Sequence, residues 1–387
     1  QAKWFLLERS PLKLTPVPVS RVHRYGAHPT RLEELRLSGL DPERSYELIA
    51  VGRNGEVFDH RRFRTFRQER QALRFALVSC ADDSYQAQQA AQWKSLAEKM
   101  PDVIFAIGDN VYATSRNREA LEVTPDSLWE RYSETRDALG IFREQDLIPF
   151  IATWDDHDYG ANDGDENFAH KEGARKVMEA FFPIVADAKT VLEGPGVARA
   201  LKAAGQTFVF FDDRTFRSPN GRSAVCRKRS HPNCRGSAHD TSEATHFGRV
   251  QEDWAALLLE KLQGPAWLIS GDQWFGAYQP FESYEGNHPE SFARFLSKLR
   301  ATLVKNRKGR PSLVFASGDR HLSEIMKVKP FPGQDTFEIT SSAIHAKTYP
   351  DAWREFPNRR QLVGASGVLN YSLVDSRVEK DGTLSLD

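Results

Sequence analysis

Several things this chain lacks narrow its possible functions. No run of about 18 or more apolar residues occurs, so no segment reads as a membrane-spanning helix. No signal peptide is recognisable, and the chain starts at Gln1, not Met, so removal of an N-terminal segment is expected. An excess of one charge is also missing, since 53 Lys+Arg balance 53 Asp+Glu. Zero formal net charge argues against a non-specific nucleic-acid binder, although local basic patches remain possible. No Gly-x-Ser-x-Gly spacing marks a serine nucleophile. Cysteine is scarce, with three in the chain. Cys226 and Cys234 flank the polar loop CRKRSHPNC, whereas Cys80 ends a hydrophobic strand. These surroundings suggest a Cys226–Cys234 disulfide and an oxidising compartment; two unpaired surface thiols are the alternative.

What is present describes an aromatic-rich globular protein, with 24 Phe, 10 Tyr and 8 Trp. The length allows one large domain or two smaller ones. Residues 1–70 carry short strands (KLTPVPV, EELRLSGL, SYELIAV) between Pro, Gly and Asp-Pro turns, and are expected to form a small β-sandwich-like domain. From about residue 71 to 387 strands and helices alternate: LRFALVSC, a helix, PDVIFAIGDNVYA, a helix, IPFIATWDDHD. That order is the βαβ unit of a parallel sheet. QTFVFFDDRTFRS, AWLISGDQW and SLVFASGDRH continue the pattern, and the tail predicts an antiparallel pair with an Asp-Gly turn at a sheet edge. Residues 185–205 are too weakly patterned to place. The fold class is α/β.

The chemistry concentrates where strands end. IATWDDHDY places Asp155, Asp156, His157 and Asp158 in four consecutive positions. Such a cluster is unfavourable without a counter-charge, because close carboxylates raise one another's pKa. A bound cation is the simplest remedy, and carboxylate and imidazole ligands suit divalent and ferric ions. Asp109 follows Gly108 at another strand end, where glycine permits a tight turn. A carboxylate there can bridge two ions about 3.5–4 Å apart. Tyr112 lies three residues on, and a phenolate suits ferric iron. Cys80 ends its own strand and would favour iron or zinc over magnesium as a thiolate. In SGDRH, alternation along an extended segment would put Asp319 and His321 on one side and Arg320 on the other. Asp272 in SGDQW repeats the strand–Gly–Asp pattern, and Gln273 could orient a ligand. Strand-end clusters of this kind read as one site, because ligands of open α/β sheets gather at the carboxyl ends of strands.

VSC at Ser79–Cys80, GDNVY at Gly108–Tyr112 and WDDHD at Trp154–Asp158 together resemble the calcineurin-like metallophosphoesterase superfamily. FFDDRTFRS, LISGDQW and SGDRH extend the likeness, specifically to its PhoD-like branch of alkaline phosphatases and phosphodiesterases. It covers most of the chain from about residue 70, and SGLDPERSYEL and FRTF resemble the branch's N-terminal module. The resemblance implies a four-layer fold, two packed mixed sheets flanked by helices. It also implies that Cys80, Asp109, Tyr112 and His321 hold Fe(III), while Asp109, Asp156 and Asp319 hold a second ion, Ca(II). Asp272 or Gln273 would stand where the wider superfamily has a histidine. Zn, Mn or Mg are the alternative ions. The superfamily's Asp-x-His motif is absent; Cys80 stands for its aspartate.

The implied reaction is hydrolysis of a phosphomonoester or phosphodiester by a hydroxide held between the ions, attacking phosphorus in line. His157 would stabilise the transition state or assist the leaving group, with Asp158 orienting it. Arg214 would reach the substrate or pair with core carboxylates. His345 and Lys347 are candidates for the pocket wall. The basic loop from Arg222 to Arg235 could steer an anionic substrate, whether small molecule, lipid headgroup or polymer. A monomeric, exported enzyme is expected. The alternatives are a non-catalytic metal- or phosphate-binding protein on the same scaffold and a hydrolase of non-phosphate esters.

Overall fold

The structure is a computed structural model that describes residues 2–387 apart from 10, 67–69, 115–121, 185–188, 224, 227–242, 307–310 and 333. Alternation within the central strands sets the layering. In the strand Ala72–Val78, Leu73, Phe75 and Leu77 face a core shared with a second sheet, while Ala76 and Val78 face helices. The strand Val103–Ile107 is buried at all five positions, as a strand covered on both faces must be. Three parallel neighbours, Ala72–Val78, Val103–Ile107 and Phe150–Thr153, form one sheet. The tail strand Ser372–Val378 pairs antiparallel with Ala72–Val78, and Leu384–Leu386 adds beyond it, as the Asp-Gly turn predicted. The second sheet has eight strands, with Gln206–Phe210, Ala266–Ile269 and Leu313–Ser317 parallel at its centre.

Phe75, Phe105, Phe208, Phe210 and Trp267 fill the space between the sheets. Most of their rings meet edge-on or tilted, Phe75 lying 5.1 Å from Trp267 at 88° and Phe105 4.9 Å from Phe208, while Phe208 and Trp267 stack at 5.9 Å. Such pairs add about 0.5–1.5 kcal/mol each beyond the area they bury. Helices Gln86–Glu98, Pro125–Ala138 and Lys171–Phe181 cover the outer face of the first sheet. Helices Gly248–Glu260 and Pro289–Lys305 cover the second. The result is the expected four layers. Within the stretch that the sequence left unplaced, Val191–Glu193 is an edge strand of the larger sheet and Arg199–Ala203 is the strand next to it. Their short, mixed composition hides the alternation that a longer strand would show.

The N-terminal segment forms a four-stranded antiparallel sheet around Leu6, Val17 and Tyr46, with a two-stranded ribbon, Val19–His23 and Leu32–Leu35. It docks through the strand Val57–Arg64: Arg62 exchanges backbone hydrogen bonds with Gln145 and Leu147, and pairs twice with Asp146 at 2.7 and 2.6 Å. No helix among the described residues is long and apolar enough to cross a membrane. The expected Cys226–Cys234 bridge and most of the basic loop fall on Cys234 and its neighbours, outside the described residues.

A buried ion pair ties the loops at the strand ends to the helical layer. Arg131 donates to Asp83 at 2.6 Å and to the carbonyl of Tyr112 at 3.1 Å, with no exposure of either charged side chain. Thr135 donates to the other Asp83 oxygen at 3.1 Å. Removing one partner of such a pair strands the other in the core. Asp83→Ala is therefore expected to destabilise the protein by about 3 kcal/mol, read as a lower urea midpoint; an unchanged midpoint would show that the pair does not brace the fold.

Candidate metal centre

Parallel strands bring their carboxyl ends together, and the reactive residues follow directly from those ends. Cys80 follows Ala72–Val78, Asp109 follows Val103–Ile107, and Asp155 and Asp156 follow Phe150–Thr153. Asp319 and His321 follow Leu313–Ser317 in the facing sheet. Thr153 ties the two sheets near the site by donating to the carbonyl of Phe211 at 2.7 Å. The chain leaves the strands sharply. Cys80, Asp109, Asp319 and His321 have φ of 57°, 53°, 62° and 52°, all in the left-handed region that non-glycine residues rarely occupy. That corrects the expected alternation: Asp319 and His321 are not on one side of an extended segment. Each is turned individually towards the centre.

Gly108 shows why a small residue precedes Asp109. Its φ is +104°, and a Cβ there would lie 2.7 Å from the Cβ of Asp155. The turn needs glycine for both conformation and room.

Three groups of potential ligands meet at Asp109. Within each, one donor atom per residue lies within 4.8 Å of the others: Cys80, Asp109 and His321; Asp109, Asp156 and His157; Asp109, Asp155 and Asp319. Tyr112 belongs beside the first group, its hydroxyl 3.2 Å from Nε2 of His321 and its ring stacked on His157 at 4.2 Å. A fourth group, Asp156, Asp163 and Glu282, adjoins these through Asp156.

The electrostatics of the cluster call for cations. Burial, then repulsion from Asp156, Asp158 and Asp319, pushes the Asp109 carboxyl well above its ordinary range. Burial, then the Asp109 charge, raises the Cys80 thiol and the Tyr112 phenol, and burial pulls His321 down to about 4. Burial also raises Asp155, with Arg214 opposing. A bound cation reverses the upward shifts of the carboxyl, thiol and phenol groups, and the neutral His321 ring is the form that binds a metal. The donor atoms fit that reading. Asp155 engages Arg214 through Oδ1 and leaves Oδ2 without a partner, while Asp156 takes the Asp163 amide on Oδ2 at 2.7 Å and leaves Oδ1 without one. Nδ1 of His157 is also buried and unpaired among the described residues. Buried polar atoms are seldom left so, and here all three belong to residues that surround Asp109.

Other sequence candidates fall outside the cluster. Asp272 donates no ligand atom to any of the groups; Arg217 holds its Oδ2 at 3.0 Å and the Gln273 amide its Oδ1 at 2.8 Å. Gln273 is committed to Glu324, Thr340 and Gln279. Asp158 shows no hydrogen bond to His157 among the described residues. It accepts from the amides of Val111 and Asp155 and from Asn110, and so fixes the one-turn helix Asp156–Tyr159. Arg214 is fully buried between Asp155 and Glu282, at 2.6 and 3.0 Å. Arg320 donates to Asp319 and to the carbonyl of Glu282, each at 2.7 Å. His345 is a core histidine, accepting from Trp93 at 2.9 Å and donating to the carbonyl of Asp82 at 3.0 Å.

Sequence reasoning missed Asp155 as a ligand candidate, and it missed Asp163 and Glu282 altogether. Asp155 was visible within WDDHD; the other two sit in loops with no Gly-Asp punctuation. Burial raises the Glu282 carboxyl, but Arg214 and Arg217 outweigh it and hold it below its ordinary range.

Comparisons with known proteins bear on the fold and the family. No curated protein matches the chain. A solved structure described as "Structure of PhoD" superposes with a TM-score of 0.67 at 16% identity, covering 99% of this chain and 81% of that one. At that identity the likeness establishes the fold. The PhoD-like phosphatase family itself matches residues 75–377, the whole span from the first parallel strand to the tail strand that pairs with it. The chain that gathers Cys80, Asp109, Asp156, Asp319 and His321 at its strand ends therefore belongs to the PhoD-like phosphatase family.

Proposed function

We propose that the protein hydrolyses phosphoesters, monoester or diester, at the centre around Asp109. The observation that supports this most directly is the sharing of Asp109 by three ligand groups, which suits two or more ions side by side. On one side Cys80, Tyr112 and His321 supply sulfur, phenol and imidazole, a set suited to Fe(III). On the other, Asp156 and Asp319, with Asp155 added, supply oxygen alone, which suits Ca(II). Asp272 is dropped from the set. Zn, Mn or Mg remain chemically admissible in both positions. Cations bound there lower the pKa of water and neutralise charge developing on phosphoryl oxygens.

The chain's own residues then divide the work. Asp109 would be held in place by the His157 amide, 3.3 Å from its Oδ1. The His157 ring, partly exposed and stacked on Tyr112, is placed to donate to a phosphoryl oxygen or to protonate the departing alcohol. Asp158 and Arg214 act as positioning residues, one through the turn that carries His157 and one through Asp155. Export, as a monomer, is part of the same reading.

Elemental analysis of protein purified without chelator tests the centre. About one iron and at least one calcium per chain are expected, with a visible charge-transfer band from Tyr112. Zinc or manganese alone would retire the iron assignment, and a metal-free protein that added ions do not activate would sink the reaction.

His157→Ala is expected to lower kcat for bis(p-nitrophenyl) phosphate by about 10²–10⁴-fold, the usual contribution of a general acid, with metal content unchanged. Undiminished kcat would remove His157 from the chemistry. Turnover of a carboxylic ester in place of the phosphodiester would favour the alternative hydrolase.

A further inference from the structure

A cationic feature lies away from the acidic centre, where the N-terminal ribbon faces the rest of the chain. A cleft of about 960 Å³ opens there. Arg21 and Arg24 from the ribbon, Lys176 from the helix Lys171–Phe181 and Arg199 from the strand Arg199–Ala203 are among its walls. None of its lining residues belongs to the ligand groups around Asp109.

The charge of this cleft is unbalanced. Six of its residues are Arg or Lys and three are Glu. Two of those glutamates are already paired, Glu34 with His23 at 2.9 Å and Glu179 with Arg175 at 2.8 Å. Arg21, Arg24, Lys176 and Arg199 have no carboxylate within 4.0 Å among the described residues.

Arg199 is the telling member. It is only 7% exposed, its Nε donates to the carbonyl of Val197 at 3.0 Å, and its terminal nitrogens have no hydrogen-bond partner among the described residues. Glu193 lies opposite in strand register and still makes no ion pair with it. Glu179, Glu193 and Asp212 act on this guanidinium through space without bonding to it, so its terminal nitrogens are left to face the cleft. Its planar fork suits two oxygens of a carboxylate or phosphoryl group, and among the described residues no carboxylate fills that place.

We infer that this cleft is a binding site for a phosphate-bearing anion, with a phosphoryl group on the Arg199 guanidinium and the rest of the ligand lying between the ribbon and the Lys176 helix. The inference is independent of the proposed reaction, because it needs neither metal nor turnover. The phosphoryl group could belong to free phosphate or to an organic phosphate, and both present the same oxygens to Arg199.

Equilibrium dialysis of the full metal-loaded protein at low ionic strength, against inorganic phosphate and against the hydrolysis-resistant phenylphosphonate, tests it. Wild type is expected to show one site per chain beyond the metal centre, weakened by added NaCl. Arg199→Gln should weaken that site at least tenfold, and the exposed double variant Arg24→Gln/Lys176→Gln should weaken it several-fold. In the double variant, metal content and turnover of bis(p-nitrophenyl) phosphate should stay as in wild type. Tighter binding of phenylphosphonate would identify organic phosphates as the ligand class, and equal or weaker binding would identify phosphate itself. Identical stoichiometry and affinity in wild type and the double variant would overturn the inference, even if Arg199→Gln fails to fold.

Discussion

Four aspartates, 109, 155, 156 and 319, crowd one buried centre, and their mutual repulsion is what the surrounding structure has to contain. Two unit charges about 4 Å apart interact by about 4 kcal/mol at an effective dielectric constant of 20. Asp109 alone shares ligand groups with the other three aspartates. The summed repulsion would rival the whole stability of an ordinary protein, about 5–15 kcal/mol. The carboxylates therefore cannot all be ionised together without positive charge among them. Arg214 offsets part of this through Asp155 and Arg320 through Asp319, but Asp109 pairs with neither arginine. The shared ligand is the one whose charge is left to a cation.

Around that deficit the fold builds a rigid frame. The buried guanidinium groups of Arg131, Arg214 and Arg217 each join two or more segments: Arg131 links Asp83 to the Tyr112 loop, and Arg214 and Arg217 meet at Glu282. Asp212 and Asp213 are parts of the same frame. Asp212 accepts from Trp154, the Arg214 amide and Thr215, while Asp213 accepts from Ser270 and the Asp272 amide. Left-handed turns at four candidate ligands are sustained because so many bonds determine the loops that carry them. A site built this way is set before any ligand arrives, which is the condition for electrostatic stabilisation of a transition state.

Much of this could be read from the chain. The βαβ order, the antiparallel tail and the carboxylates at strand ends all followed from period, turn residues and motif spacing, because a buried parallel strand is a continuous apolar run that must stop at a polar residue. The failures have one physical origin: a Gly-Asp pair says where a strand stops, not what the carboxylate meets. Asp109 and Asp272 look alike in sequence, yet one is at the junction of three ligand groups and the other is neutralised by Arg217. Glu282 carried no local signal, since its importance comes from two arginines more than 60 residues away in the chain. His345, between Trp93 and Asp82, likewise needed the fold to be recognised as packing.

The centre's two sides differ chemically, and that difference bears on what the site can hold. Cys80, Tyr112 and His321 converge from the two facing sheets on one flank of Asp109, and Ser79 and Ser342 flank the Cys80 sulfur at 3.3 and 3.0 Å. The Ser342 hydroxyl donates to that sulfur and lowers the cost of a buried thiolate without supplying a full charge, while Ser79 donates to the carbonyl of Ser341. On the other flank every donor is a carboxylate oxygen apart from the His157 nitrogen, and Asp163 and Glu282 continue the oxygen-rich surface outward. A transition-metal ion and an oxygen-seeking ion such as calcium would therefore sort themselves by ligand type and not by affinity alone. Because Asp109 belongs to both sides, a change in the ion on either flank alters the field at the other, so the two positions form one electrostatic unit even though their donors differ.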